Sequence, residues 1–153
     1  GRISKPNGVK VINERKVEKH STVWQTISEI KAELQKGLTS NQIITSLFPP
    51  GSITGAPKIQ AMKLIDKLES FSRGPYTGSV IVNSKNNDTL ASVLIRTLVL
   101  NLDSLGPKAK GSAEYGVGGG ITLQSNPEDE WNETISKAKV LEPFASNSWS
   151  LHN

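Results

Sequence analysis

Gly51-Ser52-Ile53-Thr54-Gly55-Ala56-Pro57-Lys58 is the stretch on which the reading of this chain turns. Two glycines with two hydroxyl side chains between them run straight into an amphipathic pattern. Glycine lets the backbone bend sharply and come close to a ligand. Pro57 is of the type favoured in a first helical turn, and Thr54 or Gly55 would serve as the cap. A helix is predicted over 57–69, with Ala61, Leu64, Ile65 and Leu68 on one stripe and Lys63, Asp66 and Lys67 off it. Unpaired N–H groups at its start, with the positive end of its dipole, favour a carboxylate or a phosphate. The spacing is not that of a P-loop, because Ala-Pro-Lys follows Gly55. Nor is it a nucleophile elbow, which needs Gly-x-Ser-x-Gly. A tight helix start that holds no ligand is the other reading of the same residues.

Upstream, 8–20 shows short apolar alternations at Val9 and Val11 and reads as strands with a turn around Asn13-Glu14. Residues 21–34 begin with β-branched types and end with helix formers, so they read as strand into helix. A short helix follows, with Ser40 as cap and Ile43, Ile44 and Leu47 as its apolar face. Phe48-Pro49-Pro50-Gly51 ends it.

Downstream, Ser72-Arg73-Gly74-Pro75 is a turn and 76–83 a strand. Asn86-Asn87-Asp88 is a hairpin turn, and 89–102 reads as one long strand rich in Val, Leu and Ile. A turn at Gly106-Pro107-Lys108 leads to a short strand ending at Tyr115, and then to the glycine-rich segment 116–120. A last helix opens at Ser125-Asn126-Pro127, with Ser125 or Asn126 as its cap and acids facing its dipole, and runs to about Leu141. Antiparallel hairpins mixed with helices predict an α+β chain. The organisation expected is one domain portion over 1–141 and a flexible tail over 142–153.

The chain has 153 residues, 35% of them hydrophobic and 21% charged, which suits a globular domain with a sizeable core. It has no cysteine, which excludes disulfides and thiolate metal sites and agrees with a cytoplasmic address. No run of about 18 apolar residues is present, so no membrane span is expected. The N-terminus lacks the apolar segment of a signal peptide. The net charge of +4 suits attraction of an anionic small molecule. Nucleic acid is not expected, because the aromatic residues are scattered and no dense Lys/Arg tract accompanies them. The chain begins at Gly1 and its only methionine is Met62, which reads as a fragment or processed piece of something longer.

Some residues could carry chemistry. Period-2 alternation puts Arg96 among Leu94, Leu98, Leu100 and Leu102, where a charge needs a partner or a cavity. Arginine suits a bidentate grip on a carboxylate. Tyr76 would donate its hydroxyl to the same anion, or be an ordinary core-edge tyrosine. The segment 116–120 is either a bulge with close backbone packing or a set of unencumbered N–H groups. Glu130, Glu133 and Lys137 fall near one helix face. They read as a solvated, salt-bridged face, or Glu133 as an oxygen ligand to Mg²⁺ that needs further donors. His20 would be an acid/base group or an unremarkable strand histidine.

Taken together, these pieces resemble the C-terminal part of the chorismate-utilising enzymes. The resemblance runs over 1–141. It rests on Phe48-Pro49-Pro50-Gly51-Ser52-Ile53-Thr54-Gly55-Ala56-Pro57-Lys58, Ala61-Met62, Ile65-Asp66 and Tyr76-Thr77-Gly78. It continues through Asp88-Thr89, Ile95-Arg96-Thr97, Gly118-Gly119-Gly120-Ile121, Glu133-Thr134 and Lys137. Ser52-Ile53-Thr54 and Gly118-Gly119-Gly120 look most like the para-aminobenzoate branch, aminodeoxychorismate synthase component I. The anthranilate branch more often has Thr-Leu/Val-Ser at the first and Gly-Ala-Gly at the second. A noncatalytic chorismate-binding module is a further alternative.

The resemblance implies roles. Tyr76 and Arg96 would hold a chorismate carboxylate, with Gly118 and Gly120 as backbone donors. Ser52 would lie near the substrate, and His20 near the departing C4 hydroxyl. Glu133, with Glu130 beside it, would bind Mg²⁺. The implied fold is part of a large chorismate-binding α/β sandwich. The implied reaction is Mg²⁺-assisted amination of chorismate to 4-amino-4-deoxychorismate for folate synthesis, with ammonia from a glutamine amidotransferase subunit. The family's other metal-binding glutamates, and the lysine that para-aminobenzoate enzymes use as a nucleophile, would lie before Gly1. The chain by itself is therefore expected to be inactive.

Overall fold

The structure, a computed structural model, describes residues 1–19, 24–86, 88–106 and 108–144. His20 lies outside the described residues, so its expected role has no structural account. The chain divides into two compact units, one over Gly1–Pro50 and the other from Gly51 onward.

The first unit is a long antiparallel hairpin followed by a helix. Strand β1 spans Ser4–Lys19 and β2 spans Trp24–Leu34, in a register that runs from Ser4 opposite Leu34 to Lys19 opposite Trp24. The turn expected at Asn13-Glu14 is a bulge instead. The register slips between Asn13 and Lys16, where Arg15 has φ +49°. A second slip, between Ser4 and Val9, contains Asn7 at φ +56°. Extra residues in β1, three at the Ser4–Val9 slip and one at Asn13–Lys16, give this local twist without reversing the chain. The helix expected at the end of 21–34 is strand: the helix formers of 24–34 follow the ladder that β1 offers, and tertiary pairing overrides local propensity. At the base of the hairpin Ile3 and Ser4 are buried, and the Gln35 N–H donates to the Ile3 carbonyl at 2.9 Å.

Helix α1 spans Ser40–Leu47. Its cap is Thr39 rather than Ser40. The Thr39 hydroxyl accepts from the Gln42 N–H at 3.3 Å, and Gln42 Oε1 accepts from the Thr39 N–H at 2.9 Å. This reciprocal box satisfies two otherwise orphaned donors.

In the second unit Gly51–Thr54 is itself one helical turn, α2, and α3 spans Lys58–Leu68 with Pro57 at the N-cap position. Neither Thr54 nor Gly55 caps α3. Gly55 has φ +118° and links the two helices, with its N–H closing on the Gly51 carbonyl at 2.7 Å. Of the expected stripe on α3, Ala61 and Ile65 are half-buried, while Leu64 and Leu68 are exposed.

Two hairpins follow, β3 (Ser79–Asn83) with β4 (Thr89–Val93), and β5 (Leu98–Leu102) with β6 (Gly111–Tyr115). The single strand expected over 89–102 is broken at 94–97. Helix α4 spans Pro127–Ala138, and a 3-10 helix, Lys139–Phe144, continues it. The Asn126 side chain caps α4 by accepting from the Glu128 and Asp129 N–H groups.

Among the described residues the strands form three separate two-stranded sheets. Among the same residues none of the large side chains is fully buried. Val80, Val82 and Leu90 on one hairpin, and Leu98, Leu100 and Leu102 on the other, remain exposed. Helices plus antiparallel strand pairs make the chain α+β, as the sequence predicts.

Candidate active site

The site is built around the glycine segment 116–120, which β6 delivers and α4 faces. Tyr76 comes to it from a double turn. The Tyr76 N–H donates to the Arg73 carbonyl at 3.0 Å and the Gly78 N–H to the Pro75 carbonyl at 2.9 Å. The phenol ring then lies on Gly116, so close that a Cβ there would overlap it. The Tyr76 hydroxyl is 3.0 Å from where a Cβ on Gly118 would stand, and Glu130 Oε2 is 2.9 Å from where one on Gly119 would stand. Gly116 is thus required by a ring resting on bare backbone, whereas at Gly118 and Gly119 a side chain would only displace its neighbour slightly. Gly120 differs, since the space beside its α-carbon is open. Among the described residues the N–H groups of Gly118 and Gly120 have no hydrogen-bond acceptor.

Lys137, one turn beyond Glu133 on α4, reaches the other side of the segment. Its ammonium donates to the Gly118 carbonyl at 2.9 Å and pairs with the Glu133 carboxylate at 2.5 Å. The ion pair is the expected salt-bridged face; the bond to Gly118 is not legible from helical spacing. Lys137 holds the Glu133 carboxyl below the usual carboxylate range. Glu130 instead accepts from the Ser125 hydroxyl at 2.5 Å. Burial pushes the Tyr76 hydroxyl up, against the opposing pull of Arg73 and Lys137. At neutral pH it is a protonated donor.

Arg96 is not on a strand. It sits in the break between β4 and β5, exposed, with φ +53°. A non-glycine residue there is under backbone strain. The break is nevertheless stitched to the Tyr76 turn: Leu94 accepts from the Thr77 N–H and donates to the Gly78 carbonyl, both at 2.9 Å. The two residues expected to grip one anion therefore lie on adjoining backbone segments. Ser52 is exposed on α2 and, among the described residues, makes no hydrogen bond with this cluster.

A shallow cavity of about 280 Å³ is lined by Gly119 together with Ile121, Ser125, Glu130, Trp131 and Thr134. Glu130 and Glu133 have the hard oxygen donors that Mg²⁺ takes, here engaged by Ser125 and Lys137. Among the described residues no third carboxylate or histidine joins them.

The sequence profile of the chorismate binding enzymes matches residues 1–143. The chain belongs to that family. Its relatives include anthranilate synthase component 1 of Neisseria meningitidis serogroup B, 37% identical over 141 residues, which are 92% of this chain and 27% of that protein. The corresponding protein of Aquifex aeolicus is 36% identical over the same length, again 27% of that protein. The crystal structure of anthranilate synthase component I from Streptococcus pneumoniae TIGR4 superposes with a TM-score of 0.73 at 32% identity, over 91% of this chain and 30% of that one. The chain thus spans about a quarter of the length of the curated relatives it matches. Tyr76, segment 116–120 and α4 carry several of the residues on which the family resemblance rests. Among the described residues, no helix is long and apolar enough to cross a membrane.

Two contributors escape the sequence reading. Glu69 and Arg73 form a two-pronged ion pair beneath the Tyr76 turn, at 2.7 and 2.5 Å. Their i, i+4 spacing was the available signal, but that spacing is common on solvated helices.

Proposed function

We propose that this chain supplies one wall of a chorismate site in an enzyme that aminates chorismate to 4-amino-4-deoxychorismate. The carrying observation is the cluster of a protonated Tyr76 hydroxyl, the Arg96 segment stitched beside it, and glycine N–H groups without an internal acceptor. These donors complement a carboxylate: Tyr76 gives one hydrogen bond, Arg96 a fork, and Gly118 and Gly120 backbone N–H groups. Holding chorismate by its carboxylates orients C4 for displacement. Nitrogen of ammonia bonds to C4 as the C4 hydroxyl departs, with protons balanced by release of water. By family resemblance His20 would stand near that hydroxyl, Ser52 near the ring, and a glutamine amidotransferase would supply the ammonia. Glu130 and Glu133 would hold Mg²⁺, which would neutralise substrate carboxylate charge when bound. Lys137 would then have to give up its hold on Glu133.

The branch is read from Ser52-Ile53-Thr54 and Gly118-Gly119-Gly120. The second reading, amination at the anthranilate position, is favoured by relatives at 35–37% identity that are anthranilate synthase component 1. Calorimetric titration with chorismate tests the site. Tyr76→Phe and Arg96→Lys are each expected to weaken binding roughly tenfold, the worth of a hydrogen bond to a charged group. Unchanged affinity in both variants would remove the proposal. Competition separates the branches: the 4-amino product should displace chorismate better than the 2-amino isomer, and the reverse order would assign the anthranilate branch.

A further inference from the structure

We propose that Glu69 and Arg73 are positioning residues that clamp the Tyr76 turn and thereby set how the Tyr76 hydroxyl meets a carboxylate beside Gly118. The binding half of this proposal rests on the chorismate reading above; the clamp itself rests on geometry.

Thr77 carries the argument. It has φ +62°, although it is β-branched and follows Tyr76 directly. At the third position of a turn such a φ belongs to glycine or asparagine. A residue held there persists only where its surroundings over-determine it. Three contacts do so. The Thr77 N–H donates to the Leu94 carbonyl at 2.9 Å, and the following Gly78 N–H closes on the Pro75 carbonyl. The third is a side-chain bond, Arg73 Nη1 to Thr77 Oγ1 at 3.3 Å. Arg73 can hold that position because Glu69 fixes its guanidinium through Nε at 2.7 Å and Nη2 at 2.5 Å. Glu69 is the C-cap residue of α3, so the clamp ties the end of that helix to the turn.

An i, i+4 ion pair on a helix is ordinarily a solvated ornament of little worth. This pair differs in three respects. Its side chains are only 24% and 28% exposed. It is bidentate, which fixes orientation as well as distance. Its free prong ends on the strained residue. Rotation of the Thr77 peptide would carry the Tyr76 ring away from Gly116 and its hydroxyl away from Gly118. The α3 helix of the opening motif thus reaches the carboxylate donor through two side chains.

The test uses the full 153-residue chain. Stacking of the Tyr76 ring displaces the Gly116 Hα resonance upfield, so NMR reads the clamp without any ligand. Arg73→Gln and Glu69→Gln are expected to lose most of that displacement. Arg73→Lys is expected to lose it too, because it keeps the charge and loses the fork; full rescue by lysine would overturn the clamp. Adding Thr77→Gly to Arg73→Gln relieves the strain and is expected to restore the displacement. A ring that stays on Gly116 in Glu69→Gln and Arg73→Gln overturns the proposal whatever happens to ligand binding. In parallel, Arg73→Gln is expected to weaken chorismate binding roughly tenfold, with recovery in the Thr77→Gly background. If Tyr76→Phe leaves chorismate affinity unchanged while Arg73→Gln still frees the ring, the carboxylate reading fails and the clamp's role in binding falls with it. The clamp itself then stands.

Discussion

The ring of Tyr76 lies on the backbone of Gly116, in the volume that a side chain there would fill. This relationship makes the glycines of the segment unequal. Gly116→Ala is expected to destabilise the chain by about 1–3 kcal/mol, the usual cost of overpacking a filled space. Gly120→Ala meets open space and should stay within about 0.5 kcal/mol. Urea unfolding of the two variants checks this, and equal losses would contradict the packing described.

Arg96 should show stability and binding pulling in opposite directions. Its φ of +53° is unfavourable for any residue with a Cβ. Arg96→Gly is therefore expected to raise stability by about 0.5–1 kcal/mol while removing the guanidinium proposed to grip a carboxylate. Chorismate affinity should fall roughly tenfold in the same variant. A drop in melting temperature would show that the guanidinium has a structural partner.

Lys137 and Glu133 predict a pH signature. Lys137 holds the Glu133 carboxyl below its ordinary 4.5, first by hydrogen bonding and then by charge. A depressed carboxylate contributes stability above its unfolded pKa and loses it as pH falls through the folded pKa. In Lys137→Met the Glu133 resonance should titrate closer to 4.5, as followed by carbon-detected NMR. Mg²⁺ should also bind this variant more tightly, because its competitor for Glu133 has gone. Weaker Mg²⁺ binding would instead mean that Lys137 orients the ligand.

The exposed apolar faces predict the behaviour of the chain on its own. Leu98, Leu100 and Leu102 share one face of β5, and Val80 and Val82 one face of β3, all exposed. Two-stranded hairpins are marginal alone, and apolar area of this kind seeks cover. The purified chain is expected to bind the dye ANS or to self-associate, as read by fluorescence and light scattering. Leu98→Thr with Leu100→Thr should reduce both responses. A monomer silent to ANS would show that these leucines have found cover.

Local chemistry made much of this chain legible. The helix start at 57–58, Asn126 and Pro127 at the start of α4, and the turns between 83 and 111 act within a few residues. Their signals survive in the sequence for that reason. Family membership was legible for the same reason, because motif order is a property of the string. Long-range contacts decided the rest. Residues 24–34 are strand because β1 lies beside them, although Ser28 to Leu34 favour helix by composition. The run 89–102 breaks at 94–97 because Leu94 pairs back to Thr77 and Gly78, which takes Arg96 off the face that alternation had given it. Lys137 reaches Gly118 across 19 residues. The sequence by itself determined where the chain turns and which donors it carries. Only the tertiary structure decided which donors stand together, because energies that act across space leave no periodicity in the order of residues.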